Sequence, residues 1–349
     1  MTPAIPEILF ISSNARPLYT EDILSVLAAP LRSIIQFRYL ANYVSPELRQ
    51  IPRKELIGRQ GLVAFKASDG AAAFVLPIRL VTIADVTIAA DIFFFKLRIG
   101  NYPNLAQYPS SAQEISKKSA EFLRRVEDMN HSSYYPALTR FPTFPDFSAE
   151  TTDADSWFTI VRQLSQSPVY EFSHFVRIEP PHWATDDDRI LSFDDKGTLR
   201  LTEEKPIKLL THFFSEDTTS VDRKVSCSVD SNFLRVSSNS VYPVRSRYDS
   251  VEFWLQPSIV NYPTLTRAEI TLDGTQAGDL ASRVAFSVIV SRSQPRVAAR
   301  ALLGAFGAFL LAVPAILGPD SDIWLRIGIA VAGAFIVSYV AVYLSAGRK

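Results

Sequence analysis

Residues 99–105 read "IGNYPNL", and residues 259–265 read "IVNYPTL". Nearly the same seven residues recur 160 positions apart, and the recurrence is not isolated. Phe93-Phe94-Phe95 stands against Phe253-Trp254-Leu255 at the same offset, and "PIRLVT" (77–82) returns as "PIKLLT" (206–211). Further upstream, "VAFKASDG" (63–70) resembles "LSFDDKG" (191–197), and Pro30 and Phe37 match Pro168 and Phe175. The order of the matches is kept while the offset drifts by loop-sized amounts, which is the pattern of a tandem duplication. The expected map is a first β-rich repeat with an N-terminal helix over 1–110, a helix and a Pro/aromatic linker over 111–156, and a second β-rich repeat over 157–295. The second repeat is enlarged within 215–244.

Each repeat opens on a helical pattern. In "YTEDILSVLAAP", Ile23, Leu24 and Leu27 share one face behind Thr20 as a cap, and "SWFTIVRQLSQSP" is the counterpart. Strand patterns follow, with Asp-Gly and Lys-Gly turns. "KASDGAAAFVLPIRLVTI" and "FDDKGTLRLTEEKPIKLLTHF" each read as a hairpin, and "VTIAADIFFFKLRI" as one long strand running into Asn-Tyr-Pro. Asn before an aromatic-Pro pair is turn chemistry, because the residue before proline is extended and Asn bonds its own backbone. "ISKKSAEFLRRVEDM" (115–129) reads as an amphipathic helix. The linker "YYPALTRFPTFPDFSAETTDADS" (134–156) carries aromatics that dock on a surface.

The last fifty residues decide where the chain resides. Residues 299–318, "ARALLGAFGAFLLAVPAILG", and 323–345, "IWLRIGIAVAGAFIVSYVAVYLS", are apolar apart from Arg300 and Arg326. About twenty apolar residues at 1.5 Å each match a hydrocarbon core of about 30 Å, so both segments read as transmembrane helices. Only "PDSD" (319–322) lies between them, which makes a tight hairpin. Arg292, Arg296 and Arg300 precede the first span, Arg348 and Lys349 follow the second, and the connecting loop is acidic. That asymmetry predicts a two-span protein of the bacterial inner membrane with the β-rich part and the C-terminus in the cytoplasm. The fold class expected is thus α+β and β-rich: two duplicated cytosolic β-domains on a C-terminal two-helix transmembrane hairpin.

Chemistry-bearing motifs are scarce. Thirty-six Lys and Arg balance thirty-six Asp and Glu, so nothing in the overall charge points to nucleic acid. The single cysteine, Cys227, excludes an internal disulfide and fits a reducing compartment. Four scattered histidines give no metal-ligand spacing, and no glycine-rich phosphate loop or nucleophile elbow is present. Asp194 and Asp195 with Gly197 are turn residues, so neither catalytic residues, a metal nor a cofactor is expected. Basic residues inside strands are the candidate ligand contacts: Arg38, Arg79, Lys96, Arg98 and Lys208. They read either as holders of a phosphate-bearing ligand or as ordinary solvent-facing strand residues. In the spans, Gly304, Ala308 and Ala312, with Gly328 and Ala332, form small-residue faces that let helices approach closely. Arg326 reads either as a snorkelling arginine paired with the acidic loop or as a ring of charge at a pore mouth.

This architecture, a β-rich duplicated part on a two-helix hairpin without catalytic motifs, resembles the membrane effectors of bacterial anti-phage defence, among them the Hailong-type channel-forming effectors. The resemblance is one of architecture over the whole chain, and no residue roles are carried over by it. It implies a cytosolic sensor for a nucleotide or oligonucleotide supplied by a partner nucleotidyltransferase. It also implies hairpins that homo-oligomerise in the lipid bilayer into a pore. A scaffold with a passive membrane anchor and a membrane-tethered enzyme are the alternatives.

Overall fold

The computed structural model describes residues 6–68, 73–105, 111–130, 137–140, 150–151, 154–166, 174–184, 186–215, 224–229, 232–244, 246–260, 262–273, 282–317 and 322–345. The chain is a β-rich α+β protein with seven α-helices among the described residues. Its first half runs β1 (Ile8–Ser13), α1 (Pro17–Ala28), β2 (Ile34–Leu40), α2 (Pro46–Gln50), α3 (Arg53–Leu56), β3 (Gln60–Ser68), β4 (Ala73–Ala89), β5 (Ile92–Ile99), β6 (Tyr102–Pro103), α4 (Ala112–Asn130) and β7 (Leu138–Arg140). Six of these strands form one sheet in the order β2-β5-β4-β3-β1-β7. The apolar β1, buried nearly throughout, runs parallel to β3, as fits a strand covered on both faces. Pro77 sits inside β4, where the register to β3 shifts between Val63 and Ala64. A residue without an N–H is tolerated in a strand interior at such a bulge.

Several local expectations hold and others do not. β3 and β4 form the expected antiparallel pair. Ile23, Leu24 and Leu27 of α1 are buried as expected, but the helix starts at Pro17, so Thr20 lies inside it and caps nothing. Proline at the first helical position supplies that earlier start, because its missing N–H needs no partner there. "VTIAADIFFFKLRI" is two strands rather than one: β4 and β5 turn back at Ala90, whose backbone adopts a left-handed φ of 52°. The 115–129 helix lies within α4, which packs on β4 through Phe122 and Val126 and bonds the Val75 N–H with the Ser119 hydroxyl at 2.8 Å. Residues 138–140 of the expected linker pair with β1 as the sheet edge, whereas 141–149 lie outside the described residues.

The second half runs β8 (Glu150–Thr151), α5 (Ala154–Gln166), β9 (His174–Ile178), β10 (His182–Trp183), β11 (Asp186–Ile190), β12 (Thr198–Thr202), β13 (Ile207–Ser215), β14 (Lys224–Val229), β15 (Leu234–Val236), β16 (Val241–Pro243), β17 (Tyr248–Pro257), β18 (Thr264–Asp273) and β19 (Ser282–Ser291). Two sheets result. One has the order β11-β10-β13-β17-β15 with β9 also on β13, and the other the order β12-β19-β18-β14-β16. β12 and β13 therefore belong to different sheets, and the hairpin expected over 193–213 is not formed. β6 pairs with β8 and α5 packs against β4 and β6, so the halves share one hydrophobic core.

The recurrences do not extend to the sheet order. β2 joins β5, while its expected counterpart β9 joins β13. Phe93 lies opposite Ile88, well beyond Pro77, whereas Phe253 lies opposite Leu209, close to Pro206. Tyr102 is buried in β6 and Tyr262 is 67% exposed. The two stretches that open the sequence reading thus occupy different environments, although Gly100 and Val260, at the same place in each, both offer a carbonyl to an arginine Nε: Arg79 at 2.7 Å and Arg292 at 3.0 Å.

Two helices close the described chain, α6 (Gln294–Ile316) and α7 (Ile323–Ser345). They pack antiparallel, with Gly307 against Gly333. A Cβ on Gly307 would lie 2.9 Å from Ile336 Cγ2 and 3.2 Å from the Gly333 carbonyl oxygen, and one on Gly333 would lie 2.9 Å from the Gly307 carbonyl oxygen. Among the described residues one helix, α7 over Ile323–Val340, is long and apolar enough to cross a membrane, while the apolar part of α6 is the shorter Ala301–Ile316.

Candidate functional site

The face of β9 and β13 that α5 covers carries the densest network of polar side chains. Arg177 and His212 are direct cross-strand partners, and Glu179 follows Arg177 on the same face. Glu179 Oε1 accepts from Arg177 Nη2 at 3.0 Å and meets His212 Nε2 at 2.8 Å. An ionised carboxylate only accepts, so Nε2 carries the proton, and Nδ1 takes the Tyr248 hydroxyl at 2.8 Å. The His212 hydrogen bond holds the Glu179 carboxyl below its ordinary range, against the opposing effect of burial and with help from the His212 and Arg177 charges. Both nitrogens of His212 are hydrogen-bonded, which fixes the orientation of the imidazole between Glu179 and Tyr248.

α5 brings Trp157 to this network. The Arg177 guanidinium carbon lies 5.6 Å from the Trp157 ring centre. Among the described residues neither Arg177 Nε nor Trp157 Nε1 has a hydrogen-bond partner, although both atoms are buried. In the first sheet, on β4 against which α5 packs, stands Arg79. It is 3% exposed, donates Nε to the Gly100 carbonyl and stacks its guanidinium 3.6 Å over the Tyr102 ring. Tyr102 is itself fixed, its hydroxyl donating to the Leu27 carbonyl at 2.7 Å. Arg79 Nη1 is buried without a hydrogen-bond partner among the described residues. Burial lowers the Arg79 pKa, and the nearby Arg177 charge pushes it the same way against Tyr102. The ring face returns about 2 kcal/mol to a desolvated guanidinium, less than the several kcal/mol lost by burying it. The result is a buried, donor-rich, electropositive cluster contributed by two sheets and α5.

The five basic residues singled out in the sequence are not brought together. Arg79 alone is buried, and it faces no solvent. Arg38 is exposed on β2 near Asp22, whose carboxyl is raised by burial and eased back by the Arg38 charge. Lys96 pairs with Asp85 at 3.4 Å and Lys208 with Glu252 at 3.5 Å. Arg98 reaches the other half, binding the Asp195 carbonyl at 3.0 Å and its carboxylate at 3.2 Å. Asp195 belongs to the turn in which Asp194 accepts from the Lys196 and Thr198 N–H groups at 2.9 and 3.0 Å. Sequence reasoning missed Arg177 and Trp157. The signal available was the "RIE" alternation in β9, which puts a cation and an anion on one strand face. Among the described residues no group of three or more His, Cys, Asp and Glu side chains is placed to hold a metal ion.

No protein-family model and no curated protein matches this chain. Solved structures match it at low identity and low TM-score. A Bacteroides ovatus GH5 xyloglucanase in complex with a XXXG heptasaccharide matches 28% of this chain and 17% of its own, at 9% identity and a TM-score of 0.18. The secreted serine protease VesC from Vibrio cholerae matches 76% of this chain and 70% of its own, at 11% identity and a TM-score of 0.19. The chain thus spans less than a fifth of the first of these.

A second polar junction ties the sheets to the C-terminal helices. Glu203 is 2% exposed, and its carboxylate accepts from the backbone N–H of Val260 at 3.3 Å and of Ser293 at 3.2 Å. Ser293 is the residue before α6, so one buried side chain joins the end of β12, the loop after β17 and the start of the helix pair. On α7, Asp322 caps the helix, its carboxylate accepting from the Trp324 N–H at 2.9 Å. Of the residues expected to pack the helices, Gly304 meets only Val340 Cγ1 at 3.9 Å and Gly328 meets nothing within 4 Å. Ala308 and Ala332 are exposed and Arg326 is half-buried. The contact within the chain is made by Gly307 and Gly333 instead.

Proposed function

We propose that this chain is a membrane-anchored effector: a β-rich cytosolic part that binds a ligand, and C-terminal helices that insert in the bacterial inner membrane. The observation that carries this reading is the surface of α6 and α7. Phe306, Phe309 and Ile316 on one helix, with Ile323, Leu325, Val331 and Phe335 on the other, all face outward. An apolar surface of this extent is covered by lipid or by other copies in a folded protein. Trp324, 76% exposed, stands at the start of α7 and Tyr339 near its end, the positions of interfacial aromatics.

On this reading α6 is the second span, the helices of several copies line a pore, and the ligand is a nucleotide or oligonucleotide made by a partner nucleotidyltransferase in anti-phage defence. The close Gly307–Gly333 contact favours a second reading, the passive anchor, because it spends the small residues within one chain. Purified full-length protein reconstituted in liposomes distinguishes the two. Co-flotation with vesicles together with release of a trapped ion supports the effector. Flotation without release supports the anchor, and no flotation removes both.

A further inference from the structure

The buried donors around α5 are neighbours, Arg177 lying 5.6 Å from the Trp157 ring and its charge acting on Arg79, and among the described residues each lacks an acceptor. Arg79 Nη1, Arg177 Nε and Trp157 Nε1 are all shielded from water without a hydrogen-bond partner. Buried donors are nearly always satisfied, and an unpaired one costs its full desolvation. Among the described residues Arg79 makes no ion pair, and Glu179 is the one carboxylate paired with Arg177. Two guanidinium groups against one carboxylate leave an excess of one positive charge. The Arg177 and Glu179 side chains are 13% and 30% exposed, so the cluster reaches solvent on that side.

We propose that Arg79, Arg177 and Trp157 form a binding site for a single phosphate group, carried by a phosphodiester or a monoester. A tetrahedral oxyanion supplies the missing acceptors, and guanidinium forks match its geometry. One negative charge balances the excess. The Tyr102 ring and the Gly100 carbonyl hold Arg79 in place before the ligand arrives, which lowers the ordering cost of binding. This proposal rests on reading the β-rich part as the ligand-binding part. It is independent of whether the helices conduct, since ion release in liposomes and anion binding are separate measurements.

The test uses the full chain in detergent or nanodiscs, with inorganic phosphate and dimethyl phosphate as probes and chloride at equal ionic strength as control. Both probes are expected to raise the thermal midpoint beyond the chloride control and to change tryptophan fluorescence. A response to inorganic phosphate alone assigns the site to monoesters, and a response to dimethyl phosphate extends it to phosphodiesters. Arg79→Met is expected to abolish the response. Trp157→Phe keeps the packing, removes one donor, and is expected to weaken the affinity about tenfold, which corresponds to about 1.4 kcal/mol. Loss or weakening of the response in either folded variant sustains the site. No response beyond chloride in the unaltered protein, or an unchanged response in both variants, overturns it.

Discussion

Glu179 is the acceptor on which Arg177 and His212 converge. Its carboxyl lies below the ordinary value of 4.5, first because His212 bonds the charged form, then because the His212 and Arg177 charges favour it, with burial opposing. A folded-state pKa below the unfolded one means stability that is present above the unfolded value and lost as pH falls through the folded one. The thermal midpoint is therefore expected to drop on acidification below about pH 4.5. In Glu179→Gln the neutral-pH stability is expected to fall by about 1.5–3 kcal/mol, the range for hydrogen bonds to charged groups, and the acid drop to shrink. Calorimetry of both proteins between pH 3 and 7 checks this, and equal pH slopes would remove Glu179 from the account. At this scale the sequence was only partly legible. "RIE" and "PIRLVT" show charges alternating with apolar residues, but Lys96, Arg98 and Lys208 found carboxylates while Arg79 did not. Pairing depends on which strands become neighbours, and composition along one strand does not encode that.

Elements were more legible than their neighbours. α1, α4 and α5 stand where their periodicity put them, because a 3.6-residue stripe is a local property. The duplicated sheet order failed at the same scale, since six or seven similar residues specify a turn and a strand end but not a register. Helix packing has the same ambiguity: glycines and alanines at four-residue spacing mark several faces, and the face used within the chain is the one through Gly307 and Gly333. A Cβ there would meet backbone at 3.2 and 2.9 Å, so a side chain forces the helices apart. Gly307→Leu or Gly333→Leu is expected to separate α6 from α7, at an overpacking cost of about 1–3 kcal/mol. Gly304→Leu is expected to leave the pair intact. Disulfide trapping between Ala301→Cys and Val340→Cys reads the distance. Efficient trapping in Gly307→Leu would show that this contact does not set the pair.

For the molecule as a whole, the sole native thiol makes the membrane reading directly measurable. Burial pushes Cys227 up to about 12, so it stays a thiol at neutral pH and reacts with maleimide only after unfolding. Against that silent background, Ile323→Cys is expected to label from outside intact cells and Lys224→Cys only after lysis. The reverse pattern would put the β-rich part outside and end the cytosolic reading. Conduction makes a stronger demand. Two helices cannot enclose a water path, so a pore needs several copies, and the surface left for them is the outer face of the pair. Gly328 lies there with open space around it, and a Cβ on Gly304 would meet Val340 Cγ1 only at an ordinary contact of 3.9 Å. Close approach in lipid depends on such small residues, while lipid alone accepts Leu as readily as Gly. Gly304→Leu and Gly328→Leu are therefore expected to abolish ion flux from liposomes without preventing insertion, and Arg326→Ala to change conductance or selectivity more than assembly. Unchanged flux from both glycine variants would deny close packing between copies. A strictly monomeric protein in mild detergent would leave the helices as an anchor, with the phosphate site as the part of the molecule that acts.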